Sequence, residues 1–319
     1  MSAVKIYLAP IQGITDFTFR NLFNKHFKGI FKFYTPFVRF GGKLEVKKSQ
    51  QTDLLSEKNL VERLVPQILT NSADEILYFV GYVQKLGYSE VNWNLGCPFP
   101  MVTKRQLGSG LLPFPDKIDT ILNGIFENNS LNFSVKMRLG YSRVEESIRI
   151  LNVLNKYPVS EIIIHPRVGT QMYKGSVNPD AFLECSKISC HQVCYNGDIN
   201  CYADYELVKS RYNRLDTLMI GRGLISNPFL AEQITLGNSL ASDDKLERFS
   251  LFHAELFETY QDLLAGPGHL LQKMLQLWEY FSLAFENQHK VLKLIKKANS
   301  LTKYHNAIYE ILNNQEFKL

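Results

Sequence analysis

Cysteine is scarce in this chain: five in 319 residues, an odd number, with no C-x-x-C pair. That excludes a disulfide framework and fits a reducing compartment. Four of the five, Cys185, Cys190, Cys194 and Cys201, crowd together. Their spacings are not the tight pairs of a zinc or iron–sulfur site, and Cys194 lies inside an apolar run, so no metal is expected. Long hydrophobic runs are also missing, since none approaches the roughly 20 residues of a spanning helix. The N-terminal Met1-Ser2-Ala3-Val4-Lys5 passes straight into a short apolar run, without the long apolar region and cleavage site of a secretory signal. A cytoplasmic protein with no membrane contact is expected. No G-x-G-x-x-G follows the first apolar run, which removes the usual mark of a dinucleotide-binding open sheet. Internal repeats and low-complexity segments are absent as well.

What is present describes a globular protein: 45% hydrophobic, 12% aromatic and 21% charged residues, with a net charge of +5. The small positive excess favours polyanionic partners. Short apolar runs recur at Ile6–Ala9, Ile30–Val38, Leu64–Leu69, Val91–Leu95, Phe133–Met137, Glu161–His165, Gln192–Tyr195 and Thr217–Ile220. Their starts lie about 25 to 40 residues apart, room for one helix and two loops each. The runs are continuous rather than alternating, as in a parallel sheet covered by helices. Eight such units predict an α/β fold, a (β/α)8 TIM barrel. Thr15 or Asp16 can cap a helix carrying Phe19, Leu22, Phe23 and Phe27. Beyond residue 230 the pattern changes. A polar stretch from Asn238 to Asp244 reads as a linker, and helical periodicity then runs through Leu246–Leu264, Leu270–Phe285 and Val291–Ile311. The expected division is therefore a barrel over 1–237 and a smaller all-α domain over 238–319.

In a parallel barrel, chemistry sits at the C-terminal strand ends. Here those ends carry Ala9-Pro10, Gln67, Asn94 with Cys97, Lys136 with Arg138, His165 with Arg167, Asn196-Gly197-Asp198 and Gly221-Arg222-Gly223. Each has an ordinary alternative, such as a core histidine, a surface cation or a plain turn. So many polar groups across these seven ends on one rim are too many for a packing layer. The last two loops bear glycines where such barrels commonly hold a phosphate, and Arg222 adds a charged fork. Lys136 and Gln67, from the opposite side, suit the polar edge of a flat ring that gains negative charge on reduction. Flavin mononucleotide (FMN) meets both requirements. Cys97, held between Gly96 and Pro98, is expected on a tight corner, and the loop Lys104–Gly110 is expected to close over it on glycine hinges. An ordinary thiol, with a pKa of about 8.5, is mostly protonated near neutrality and can donate a proton.

Taken together, Ala9-Pro10-Ile11 with Gly13, Thr15, Asp16 and Arg20, then Asn94 to Pro98, Lys136 to Arg138, His165 to Arg167, Asn196 to Asp198 and Gly221 to Gly223 resemble the tRNA-dihydrouridine synthases. The likeness keeps its order from about residue 5 to 230, and the helical tail matches in architecture. Departures from the family pattern are Ile11, where methionine is common, and Pro166, where a small residue is common. The resemblance implies an NADPH- and FMN-dependent oxidoreductase that reduces the carbon 5–carbon 6 double bond of chosen uridines in tRNA. Cys97 would protonate carbon 5. Ala9, Pro10, Ile11, Gln67, Lys136, His165, Asn196, Gly197, Asp198, Gly221 and Arg222 would surround the FMN.

Asn94, Arg138 and Arg167 are then expected at the substrate, and Lys104, Arg105, Lys290, Lys293 and Lys297 along the RNA backbone. The uracil must be turned out of its stack to meet the flavin. A barrel with its own tail is expected to work as a monomer. Two alternatives are weighed: a flavin barrel acting on a free pyrimidine, as in relatives of dihydroorotate dehydrogenase, and a catalytically silent RNA-binding protein. The lysine-bearing tail argues against the first. The joint presence of Cys97, Lys136 and His165 argues against the second.

Overall fold

The apolar runs fold as parallel strands: β1 (Lys5–Leu8), β2 (Ile30–Tyr34), β3 (Leu64–Val65), β4 (Gln67–Ile68), β5 (Glu90–Leu95), β6 (Asn132–Gly140), β7 (Glu161–Val168), β8 (Gln192–Tyr195) and β9 (Thr217–Ile220). They form one sheet in the order β3-β2-β1-β9-β8-β7-β6-β5-β4. This is a computed structural model, and it describes residues 4–127, 131–212, 215–237 and 244–319. The stretch 238–243, expected as a linker, lies outside the described residues. The two edge strands β3 and β4 are one segment interrupted by Pro66, which has no N–H to give to a ladder. Val65 accepts from Thr35 N–H at 3.1 Å on the β2 side, and Pro66 O accepts from Asn92 N–H at 2.9 Å on the β5 side. Counted as one stave, the segment closes the sheet into the expected TIM barrel of eight.

The chain forms two compact units: Met1–Gln12, Phe31–Asp198 and Tyr212–Met219 make the first, and Gly13–Ile30, Ile199–Arg211 and Ile220–Leu319 the second. In the first, Tyr7, Ala9, Tyr34, Val65, Ile163, Cys194 and Met219 form a buried cluster on the strands. Helices Ala73–Lys85, Pro115–Phe126, Glu146–Leu154 and Pro179–Ile188 cover the strands, each burying an apolar stripe such as Ile76, Phe79, Val80 and Val83. Ser72 caps the first of these by accepting from Glu75 N–H. Glu161, buried at the start of β7, accepts from Tyr7 Oη at 3.1 Å.

The second unit is helical. Asp16 caps helix Phe17–His26 by accepting from Phe19 N–H at 3.0 Å. The i, i+4 stripe Phe19, Phe23 and Phe27 packs edge-on against Phe252 of helix Lys245–Leu263, with centroids 5.0 to 6.1 Å apart. Gly266 precedes helix Pro267–Phe281, the turn Ser282–Ala284 and the Asn287 cap separate it from Gln288–Lys297, and the break at 298–300 sets off Leu301–Asn314. At their centre Trp278 Nε1 donates to Tyr304 Oη at 2.9 Å, and Tyr304 Oη lies 2.7 Å from His253 Nε2. All three are buried, and burial takes His253 down to about 3, so it is neutral and its ring nitrogen accepts a hydrogen bond from the phenol. Among the described residues no helix is long and apolar enough to cross a membrane.

Candidate active site

Strand β5 ends in a turn built by one side chain. Asn94 Oδ1 accepts from Gly96 N–H at 3.0 Å and from Cys97 N–H at 2.9 Å. The carbonyl of Cys97 is held in turn by Ser109, through its amide at 3.0 Å and its hydroxyl at 3.1 Å. Cys97 packs with Leu69, Val102 and Leu107, and with the partly buried Phe37. Gly108 and Gly110, expected as hinges, are both buried and closely packed. Gly108 adopts φ +56°, and a Cβ there would lie 2.6 Å from Cys97 O, so the glycine lets the turn Gly108–Leu111 seat directly on the cysteine.

Burial pushes the Cys97 thiol up, while Phe99 N–H and the charges of Arg138, Lys136 and Arg39 pull the other way. The sulfur is a protonated acid near neutrality whose surroundings ease the thiolate left behind. No histidine contributes. The His165 ring lies 3.3 Å from Arg167 Nη1, and a guanidinium only donates, so Nε2 is the unprotonated acceptor. Burial, and then Arg138, Lys136 and Arg167, hold His165 well below its ordinary value.

Lys136 is the register partner of Asn94, one strand over. Burial and the neighbouring Arg138 take its ammonium down to about 8. None of the described residues hydrogen-bonds or ion-pairs with it. Arg138 is committed inward, to Gly96 O at 3.1 Å and Val168 O at 2.9 Å, so it braces the cysteine turn rather than facing outward. Arg167 is buried and forks onto Asp198 at 3.0 and 2.5 Å, with Gly175 O at 2.6 Å. Asn196 gives its amide to Met219 O at 2.7 Å, and a Cβ on Gly197 would strike the Tyr195 ring. Gln67 Oε1 accepts from Asn94 Nδ2 at 2.7 Å, and its own Nε2 goes to Asn92 at 2.7 Å.

Of the remaining expected residues, Ala9 is buried in the first unit's core, with Pro10 and Ile11 partly exposed behind it. Lys104 and Arg105 are exposed just after helix Pro100–Thr103. Gly221 and Arg222 follow β9 directly and open helix Arg222–Ser226. In the second unit, Lys290, Lys293 and Lys297 share one exposed face of helix Gln288–Lys297, the first of them 3.7 Å from Glu310.

Some residues escaped the sequence reading. Tyr173 lies under the Arg138 guanidinium, 5.3 Å from ring centroid to cation, next to Met172 with φ 53°. Phe99 and Met101, 50% and 82% exposed, stand beside Cys97 in sequence with Lys104 and Arg105 following. A cavity of about 280 Å³ opens between Gln12, Phe37, Lys47, Gln50 and Asp53. Exposed apolar residues among cations were the one available signal for Phe99 and Met101.

A closed parallel barrel, with its charged and amide side chains gathered at the C-terminal strand ends, is the build of a (β/α)8 enzyme. The family model described as Dihydrouridine synthase (Dus) matches residues 7–316, and the chain belongs to that family. Curated relatives include tRNA-dihydrouridine synthase B of Pasteurella multocida, 26% identical over 71% of this chain and 67% of that protein. The tRNA-dihydrouridine(16) synthase of Cupriavidus necator is 26% identical over 72% of this chain and 73% of its own length. Probable tRNA-dihydrouridine synthase 2 of Bacillus subtilis is 26% identical over 85% and 83%. Among solved structures, morphinone reductase superposes with a TM-score of 0.50 at 11% identity, covering 77% of this chain and 88% of its own, which shows the shared barrel.

Proposed function

We propose that this protein is an oxidoreductase that reduces the carbon 5–carbon 6 double bond of uridine in tRNA, with FMN and NADPH, and with Cys97 as the acid. The observation that carries this reading is a buried thiol in the turn that ends β5, three residues past Asn94, whose register partner Lys136 is an ammonium that no described residue pairs with. The residues present fit a flavin. An ammonium partly hidden from water and without a counter-charge is costly, and an anionic ring edge would offset that cost. Lys136 would meet that edge, with the neutral His165 and the amides of Asn196 and Gln67 around it. The chemistry FMN supplies when bound is a hydride for carbon 6, replenished from NADPH.

The chain's own residues do the rest. Asn94 and Ser109 fix the Cys97 backbone so that the sulfur meets one carbon of the base. The proton moves from Sγ to carbon 5, and the thiolate is eased by Phe99 N–H, Arg138 and Lys136 until solvent reprotonates it. Lys104 and Arg105 near the thiol, and Lys290, Lys293 and Lys297 on the helical unit, are the proposed phosphate contacts. Work as a monomer completes the proposal.

Purified protein should carry a flavin spectrum and convert unmodified tRNA plus NADPH into dihydrouridine-containing tRNA. Cys97→Ala should suppress uridine reduction while NADPH still reduces the flavin. Turnover of a free pyrimidine instead of tRNA, or a protein unable to take up FMN, overturns the reading.

A further inference from the structure

The hydrogen bonds behind the cysteine turn run in one direction. Backbone N–H groups only donate, so Asn94 must present Oδ1 to Gly96 and Cys97. Its Nδ2 then faces Gln67, which must present Oε1. The Gln67 Nε2 goes to Asn92 Oδ1, and Asn92 Nδ2 goes to Ser134 Oγ at 3.0 Å. The Ser134 hydroxyl donates to Glu90 Oε1 at 2.9 Å, and Glu90 is ion-paired with Lys32 at 2.5 Å. Two ends that can each be satisfied in only one sense, amides above and a carboxylate below, agree on the sense of every link between them. Gln67, Asn92 and Ser134 are also register partners on β4, β5 and β6, so they form one polar layer across three staves. All three are fully buried, where an unpaired amide costs about 1–3 kcal/mol.

We infer that Asn92, which lies one layer below the rim, is a positioning residue for Cys97: it fixes the orientation of Gln67, which fixes Asn94, which holds the turn. No other described side chain offers an acceptor to Gln67 Nε2. This inference rests on the proposed role of Cys97 only for its effect on turnover. The mechanical part stands apart from it.

The test replaces Asn92 by Leu, which keeps the branching at Cγ and the number of side-chain heavy atoms but removes the acceptor, and by Asp, which keeps the acceptor for Gln67 and lets the Ser134 hydroxyl turn toward it. In the full-length holoenzyme, Asn92→Leu should raise amide exchange of the Gly96 and Cys97 peptide at least tenfold, and Asn92→Asp should restore it to within threefold. Single-turnover uridine reduction should fall at least tenfold in the Leu variant, with NADPH-driven flavin reduction within twofold of the parent. If either variant does not fold, Ser134→Ala against Ser134→Thr repeats the comparison one link further down, the hydroxyl-bearing Thr preserving protection. Unchanged exchange in Asn92→Leu, or loosening by Asn92→Asp as great as by Leu, overturns the inference. Raised exchange with uridine reduction intact supports the positioning role and refutes Cys97 as the acid.

Discussion

Two glycines pack near Cys97, and they should respond to the same substitution to very different degrees. At Gly108 an alanine must hold φ +56°, which costs an L-residue roughly 1–2 kcal/mol. Its Cβ would also lie 2.6 Å from Cys97 O and 2.9 Å from Cys97 Cβ, against the ~3.5–4.0 Å of favourable carbon contacts. The obstacle is backbone, so the turn must move, and overpacking of this kind costs about 1–3 kcal/mol. The sum for Gly108→Ala is about 2–5 kcal/mol, a large share of a domain's ~5–15 kcal/mol. At Gly96 the nearest atom to an added Cβ is Lys136 O at 3.6 Å, ordinary contact, so Gly96→Ala should cost under about 1 kcal/mol. Urea unfolding of both variants measures the difference directly. Equal costs, or a larger cost at Gly96, would refute the idea that Gly108 is the seat on which the cysteine turn rests.

Lys136→Met should stabilise the flavin-free protein and weaken flavin retention together. The folded state lowers the lysine from 10.5 to about 8, so below pH 8 the charged form costs up to about 3 kcal/mol, relieved as pH rises toward 10.5. A variant that is less stable at pH 7, or that holds FMN as before, contradicts this. Iodoacetamide should label Cys97 slowly at pH 7.5 and quickly only beyond the ordinary thiol range; labelling as fast as at exposed Cys190 would show an activated thiolate instead. Glu161 is raised from 4.5 to about 7 by burial, so the folded state holds its proton more tightly. Its contribution is full below pH 4.5 and is lost as pH rises through 7. Glu161→Gln should therefore gain about 3 kcal/mol on the parent between pH 4.5 and 8 in urea titrations, and a difference flat with pH excludes it. Replacing Lys293 and Lys297 by Glu should weaken tRNA binding at least tenfold in filter assays and reduce the logarithmic salt slope by about 1.5; unchanged affinity would clear that face of any RNA role.

The barrel was readable because its strands are short, continuous and apolar. Runs Gln192–Tyr195 and Thr217–Ile220 match β8 and β9 to the residue. Strands β6 and β7 continue three residues past their apolar runs, to Gly140 and Val168, because Arg138 and Arg167 are buried by pairing inward. Hydrophobic patterning cannot register a buried cation. Pro66 breaks the third stave at a point where the run Leu64–Leu69 reads as unbroken. Of the site, the identity of the rim residues was legible from strand ends. Their mutual bonding was not, since Gln67, Asn92 and Ser134 meet only through strand register. Asn92 is visible as a polar residue in the run Val91–Leu95, but the sequence does not say what it bonds. The glycines at 108 and 110 were visible as glycines, but whether they bend or seat depends on what presses against them.

The buried trio of the helical unit sets a limit on how that unit can be pared back. His253, Trp278 and Tyr304 come from three separate helices, and the phenol is the knot where the other two tie. A chain cut before Leu301 would take the phenol from both, leaving Trp278 Nε1 only its longer bond to His253 Nε2 at 3.2 Å and opening that interior to water. The last helix is thus a keystone rather than an ornament, and shortening at the C-terminus would undo packing laid down fifty residues earlier.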